Sequence, residues 1–463
     1  MANGYVPPTP PQPPCRRSLT GPFLLILIGT IFLLQHLGGF SAFVLFARWW
    51  PLLLIIVGVI KLVEHLVYQY LDYPEARFGG GTVVLLILIC VFGGLANAAY
   101  QHRDEIDWGE MHDHMGGDEG FWHLFGSEHE YDQQVEQSLP ANATLRIVSN
   151  RGNVTVSSGD DAVIRVTEHK HVFADSNDEA DRLNRECVPQ FSNAGGNTLV
   201  LTATAVDNAS THTDLEVVVP RNVPVEISTR RGDVNVSNHN GLLHINDERG
   251  DISVDTIKGD VFLTLNHGTA HVSNIDGSLS IDGRTDNANL SQISGFARLE
   301  GEFNGDVHLE KIAKGLHFHS SISELSIASL TGSVDIDGGN LRLDQAAGPV
   351  SIRTQSKDID ARSVSGALKI ENNAGNIHVE PATTAGDLTI TSRHGDVELQ
   401  MPAKASFQYQ ARTQHGEVKS EFDDIKLNNP DHGDSTGSGN NGKGGPHINV
   451  TSESGNIDLR KAS

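Results

Sequence analysis

Four aspartates are the residues of this chain best placed for acid–base chemistry. Asp335 and Asp337 flank Ile336, and Asp358 and Asp360 flank Ile359. If these stretches are strands, alternation puts each pair on one outward face about 7 Å apart. Paired carboxylates at such separations can cleave glycosidic bonds. Outward Asp, Ser, Asn and His nevertheless recur along the whole region, as any solvated sheet face requires. His271, His308 and His378 share the outward phase without a fixed acid–base partner. His112-Asp113-His114, in an acidic stretch that also holds His102, His123 and His129, offers ligands of the kind zinc takes, at a spacing that matches no defined site. Nucleophile-elbow, zincin, phosphate-loop and dinucleotide patterns do not occur in their structural contexts. The expectation is a protein that is not an enzyme, with no catalytic, cofactor-binding or metal-binding residues to assign and no cofactor.

The element that carries these residues is a repeat, Gly-(Asp/Asn/Ser)-aliphatic-x-aliphatic, running from about 232 to 416. Gly250-Asp-Ile252-Ser-Val254, Gly259-Asp-Val261-Phe-Leu263 and Gly395-Asp-Val397-Glu-Leu399 are clear copies, and Gly332-Ser-Val334-Asp-Ile336 and Ser323-Glu-Leu325-Ser-Ile327 keep the pattern. Apolar residues alternate with polar ones, so each unit reads as a short strand with one buried face. Glycine suits a turn at positive φ, and Asp or Asn suits the same corner. A second apolar signal recurs at Ile257, Ile275, Ile293, Ile312, Leu330 and Val364, with steps of 18, 18, 19, 18 and 34 residues. Short strands cannot bury a core alone, but stacked coils make a continuous one. The fold class is an all-β solenoid, a β-helix of roughly 18-residue coils, behind an α-helical transmembrane anchor.

The rest of the 463-residue chain flanks that repeat. Residues 1–20 form a proline-rich tail suited to polyproline II, either a solvated tail or a ligand for a proline-binding domain. Residues 21–100 hold three apolar runs, read as about three transmembrane helices, with Trp49 and Trp50 at an interface. Arg16, Arg17, Lys61 and Arg77 bias the N-terminus to the cytoplasm, with Arg48 the exception. Three spans would place everything after residue 100 outside the cytoplasm, whereas two would keep it inside; three are expected. Residues 101–132 read as an acidic, His-containing linker, 133–230 as a β-rich N-terminal cap with a helix opening at the capping box Ser176-Asn-Asp-Glu179, and 231–422 as the solenoid. Residues 423–463 read as a flexible loop, 428–445, followed by C-terminal cap strands.

Bulk properties narrow the partners. A formal charge of −24 argues against nucleic acid. Cys15, Cys90 and Cys187 lie in three different segments, which leaves no disulfide framework. Phe262 and Phe296 fall at outward phases where a sugar could stack, Phe303 is a further candidate, and Phe318 falls inside.

Two family resemblances rest on these residues. The solenoid, with its Gly-Asp-Val-x-Val units and the preceding Val217-Val-Val-Pro220, resembles an adhesin-like family of bacterial β-solenoid domains of unknown function over roughly 133–463. The hairpin Gly21-Pro-Phe-Leu-Leu-Ile-Leu-Ile-Gly29 with Trp50-Pro-Leu-Leu-Leu-Ile-Ile-Val-Gly58 is similar to the transmembrane region of LiaF-like envelope-stress proteins. Together they imply a bacterial cell-envelope protein held in the cytoplasmic membrane by lipid contact, with its β domain extracytoplasmic. A surface or cell-wall polysaccharide, or other envelope proteins, are the implied partners. The alternatives are an envelope-stress sensor or regulator and, behind it, a polysaccharide-active β-helix enzyme.

Overall fold

The computed structural model describes residues 127–462 except 141, 175, 196 and 204–210, plus scattered positions from 51 to 91. The proline-rich tail, Cys15, most of the apolar runs and His112-Asp113-His114 lie outside the described residues. Among those described, no helix is long and apolar enough to cross a membrane. The described residues fall into two compact units, one holding those up to 130 with 171–186 and 211, the other those within 131–170, 187–203 and 212–462. In the first, a helix spans Asn177–Glu186 and buries Ala180 and Leu183. Its N-terminus is capped as expected, the Glu179 amide donating to Ser176 Oγ at 3.4 Å.

In the second unit the repeat becomes two stacks of parallel strands. One stack runs through Val225–Thr229, Leu243–Asp247, Val261–Leu265, Leu279–Thr285, Phe296–Phe303 and Gly315–His319. The other runs through Val234–Asn240, Ile252–Lys258, Ala270–Asp276, Ala288–Ile293 and Val307–Ile312. The partner of Ile252 is Ala270, 18 residues on, and this period holds until Ala288 pairs with Val307 at 19. Val261, Leu263 and Leu265 face inward while Phe262 and Thr264 face out, as alternation requires.

The second apolar signal has a backbone cause. Asn238, Thr256, Asn274, Gln292 and Lys311 adopt φ between 53° and 57°. Each is skipped in the strand register, so each coil carries a bulge that re-aims the next side chain into the core. His239, Ile257, Ile275, Ile293 and Ile312 therefore form one buried column, none more than 1% exposed. Each aliphatic member contributes about 1.5–3 kcal/mol through burial.

The Asp or Asn after each glycine does something other than take up the positive φ. Its carboxylate or amide oxygen accepts the amide of the equivalent residue one coil on. Asp233 accepts from Asp251 at 2.9 Å, Asp251 from Thr269 at 2.7 Å, and Asp260 from Ser278 at 2.8 Å. The glycine alone turns the corner. At Gly268, with φ 133°, a Cβ would lie 1.9 Å from the carbonyl oxygen of Gly250.

Three features depart from the sequence reading. The units at 323–327 and 332–336 do not continue the parallel coil. They form one strand, Ser323–Ile336, antiparallel to both Val307–Ile312 and Gly315–His319, and Asn340–Ser356 runs antiparallel to it in turn. Parallel winding then resumes with Asp358–Ala374 and Ile377–His394. The reversals occur at Ser320–Ile322 and at Asp337-Gly338-Gly339, where the amide of Ser320 donates to Ser323 O and that of Asp337 to Asn340 O. Asp-Gly-Gly is a hairpin signal that the continuing repeat pattern hides.

The ends are interleaved rather than capped in chain order. Thr144–Ser149 lies between Thr198–Ala203 and Val225–Thr229, and Val154–Gly159 lies between Thr211–Pro220 and Val234–Asn240. At the other end His447–Ser454 is inserted between Ile377–His394 and Phe407–His415, and Ile457–Ala462 between Val397–Pro402 and Val418–Ser420. The last strands are thus an internal coil, not a terminal cap. The stretch read as a flexible loop contains Ser435–Asn441, which pairs antiparallel with Phe407–His415 and with Ile425–Asn428 and covers an otherwise open edge. Part of the stretch read as linker is also a strand, Ser127–Ser138, which pairs with Val163–Ala174.

Candidate functional site

The four aspartates are occupied by the fold. Asp335 meets His308 Nδ1 at 2.5 Å across the antiparallel reversal. Asp337 lies in the turn and accepts from the amides of Gly339 (2.8 Å) and Asn340 (2.6 Å) and from the Asn340 side chain. These hydrogen bonds, led by that of the Asn340 side chain, hold its carboxyl below the usual range. Asp358 belongs to the inter-coil ladder, accepting from the Asn376 amide at 2.7 Å, and Asp360 pairs with Arg362 at 2.8 Å. Ile336 and Ile359 are buried between them as expected, but the carboxylates do not stand as two equivalent pairs, because Asp337 has left the strand. His271 contacts Asn289 at 3.2 Å, and His378 lies 3.8 Å from Glu398.

Aromatic side chains are arranged differently. Phe262 and Phe296 are 40% and 42% exposed, whereas Phe318 is buried. Phe303 is partly buried and packs on Phe318 with centroids 4.9 Å apart. His244 and Phe262 are direct register partners in adjacent coils. Their rings stack face to face at 4.6 Å with an interplanar angle of 12°, so each covers one face of the other, and Phe262 stays 40% exposed. The pairing is invisible in sequence until the 18-residue register is known.

Beyond Phe296, on the same outward face, lies an open groove of about 460 Å³. Its floor is made of small residues on successive strands, among them Gly315, Ala328 and Ala367, with Pro349 beside them. Ser326, Ser351 and Thr389 line it with hydroxyls, and Lys314 and Lys369 supply ammonium groups. Lys369 also bonds Glu371 at 2.6 Å, a contact that holds the Glu371 carboxyl below its usual range. Sequence reasoning missed this groove. Its signal is a run of Gly, Ala, Pro and Ala at one outward position, which becomes a run only after the strand reversal is placed.

Among the described residues one cluster could hold a metal ion. Glu128, Glu130 and His171 bring ligand atoms within 4.8 Å of one another, and His171 Nδ1 meets Glu128 Oε1 at 2.8 Å. All three are at least partly exposed. Neither Cys187, which is buried, nor Cys90, which is exposed, forms a disulfide among the described residues.

With this geometry in hand, comparison with known proteins is informative. Residues 301–460 match the family model Toastrack DUF4097, and residues 20–102 match the LiaF transmembrane domain. The chain carries a Toastrack domain and a LiaF-type membrane domain. The membrane-domain match marks the chain as a membrane protein. The Toastrack match begins at 301, yet the coils from 225 onward keep the same ladder and register, so the repeat extends well upstream of the matched segment. No curated protein matches the chain. Solved structures that resemble it include a candidate cell adhesion protein from Clostridium sporogenes, at 10% identity, 73% coverage of this chain, 100% of that one and a TM-score of 0.16. A candidate adhesin from Bacteroides fragilis has 11% identity, 72% and 97% coverage and a TM-score of 0.22. A candidate lipid binding protein from Parabacteroides distasonis has 12% identity, 71% and 97% coverage and a TM-score of 0.20. At TM-scores of this size the likeness carries no functional weight for this chain.

Proposed function

We propose that this protein is a membrane-anchored, extracytoplasmic binding protein of the bacterial cell envelope, whose Toastrack solenoid holds a surface or cell-wall polysaccharide without cleaving it. The observation that carries the reading is the His244–Phe262 stack on an outward face, in which His244 holds the 40% exposed Phe262 ring in place. A ring pair fixed by strand register is a preorganised platform, so little side-chain entropy is lost when a sugar ring stacks on it. The engagement of Asp335, Asp337, Asp358 and Asp360 in structural hydrogen bonds supports binding over hydrolysis. The basic residues Arg16 and Arg17 ahead of the first apolar run support a cytoplasmic N-terminus.

The test is co-sedimentation of the full-length protein, in lipid nanodiscs, with purified cell-wall material and a polysaccharide panel, with reducing ends assayed in the same tubes. Saturable binding without new reducing ends, weakened about tenfold by Phe262→Ser, is expected. New reducing ends, or no binding to any polymer, overturn it. The LiaF-type match over 20–102 favours a second reading, a regulator of the envelope-stress response whose membrane domain contacts partner proteins. That reading predicts loss of the response when the spans are exchanged for unrelated ones, with the solenoid intact.

A further inference from the structure

The groove beside Phe296 differs from the rest of the solenoid surface in having a floor without long side chains. It crosses the strands Phe296–Phe303, Gly315–His319, Ser323–Ile336, Asn340–Ser356, Asp358–Ala374 and Ile377–His394. At the inter-strand spacing this is a run of about 24 Å along the stack. At one end the Phe296 ring lies against Gly315, where a Cβ would sit 3.1 Å from two ring carbons. Glycine there lets the ring lie against the sheet with its other face open. At the far end Asp387 already accepts the amide of His447 at 2.8 Å and is committed to the inter-coil ladder.

The groove therefore offers a ligand one aromatic face, hydroxyls from Ser326, Ser351 and Thr389, and the ammonium groups of Lys314 and Lys369. Lys314 makes no ion pair among the described residues and is exposed. A peptide could not be held here by strand addition, since the strands under the groove are already paired on both sides and present no open edge. Recognition must come from side chains, and the set is one suited to an extended chain of sugar rings bearing carboxylates. Lys314 sets the choice of sign, since Lys369 is shared with Glu371, and in a chain of net charge −24 an anion is otherwise disfavoured.

We propose that this groove is the binding subsite for an acidic polysaccharide, a polyuronate-like chain lying along the stack, with Phe296 stacking on one ring and Lys314 pairing a carboxylate. The inference rests on the polymer-binding reading above and gives it a place and a charge.

The probe is a polygalacturonate oligomer, with neutral dextran for comparison, titrated calorimetrically into full-length protein in nanodiscs at two salt concentrations. Saturable binding of polygalacturonate over dextran is expected. Lys314→Gln should weaken it about tenfold and flatten its salt dependence. Ala367→Trp, which fills the exposed floor without removing a contact, should weaken it by at least about tenfold, while Lys404→Gln, on another exposed stretch, should not. Thermal unfolding of each variant within a few degrees of the parent separates lost binding from lost fold, and Phe296→Ser is the second floor-side variant. Parent-like affinity in both Ala367→Trp and Lys314→Gln overturns the groove. If Phe262→Ser still weakens wall binding about tenfold in that case, the general reading stands and only the subsite falls. Absence of polygalacturonate binding by the parent overturns the acidic ligand, whatever the wall-sedimentation result.

Discussion

Asp247 is a carboxylate that the solenoid keeps inside its wall, and neutralising it should stabilise the coil. It is 1% exposed. One oxygen, Oδ1, accepts from Thr229 Oγ1 in the previous coil and from the Arg249 amide at 3.3 Å. The other, Oδ2, has no partner among the described residues. Burial, aided by Asp233 and Asp251, pushes its carboxyl up from 3.8 to about 6. An acid with a raised folded-state pKa binds a proton in the folded chain where the unfolded chain has already lost it. Its contribution to stability is therefore full below about pH 4, declines as pH rises towards 6, and is gone above that. The gap between 3.8 and about 6 corresponds to about 3 kcal/mol. Asp247→Asn keeps an oxygen for Thr229 and Arg249 and removes the charge. At pH 7.5 it should slow local opening of residues 225–265 by the equivalent of about 1–3 kcal/mol, the lower figure applying if the new amide finds no acceptor. At pH 4 the difference should shrink to nearly nothing. Native-state hydrogen exchange, corrected for intrinsic rates at each pH, resolves this segment separately from the rest of a repeat protein. Equal effects at both pH values, or destabilisation at pH 7.5, would refute the reasoning.

Two other perturbations test the packing. Gly268→Ala forces a Cβ to within 1.9 Å of Gly250 O at φ 133° and should cost at least about 2–3 kcal/mol, whereas Gly338→Ala, with nothing within 4 Å, should be nearly neutral; thermal melts compare them. Lys170 and Glu168 are 2% exposed and within 3.5 Å of each other, and Lys170 also donates to Cys187 O. Lys170→Met should cost about 3–5 kcal/mol by stranding the Glu168 charge, and adding Glu168→Leu should recover much of it. A double-mutant cycle reads the coupling directly.

The candidate site was legible in parts. The outward phases of Phe262 and Phe296 and the inward phase of Phe318 follow from period-two alternation, and the structure keeps all three. The stack of His244 on Phe262 needs the register as well, which the 18-residue glycine beat supplies only once parallel winding is assumed. Lys314, Ala328 and Ala367 could not be grouped in advance, because the strand carrying Ala328 runs backwards between the other two. Lys170 and Glu168 escaped notice for a different reason. The strand Val163–Ala174 keeps its alternation through them, but charged residues at the inward phase make the buried face read as a change of element.

What the sequence determines here is everything local and repeated. Alternation sets which side chains form the wall, glycine marks the corners, and the column from Ile257 to Ile312 sets the coil length, because each term depends on residues a few positions apart or one coil apart. What only the tertiary structure decides is the order in which coils stack. An Asp or Asn at a corner can accept an amide from any coil placed beside it, and the ladder from Asp396 to Asn456 and from Asn456 to Glu417 is built of the same bonds as that from Asp233 to Asp251. A coil with interchangeable edges carries no local label for its neighbours. Insertion of 144–159 and 447–462 into the stack, and reversal at 323–336, are therefore settled by closing the ends and filling the core of the whole solenoid, a sum over long-range contacts that no single repeat records.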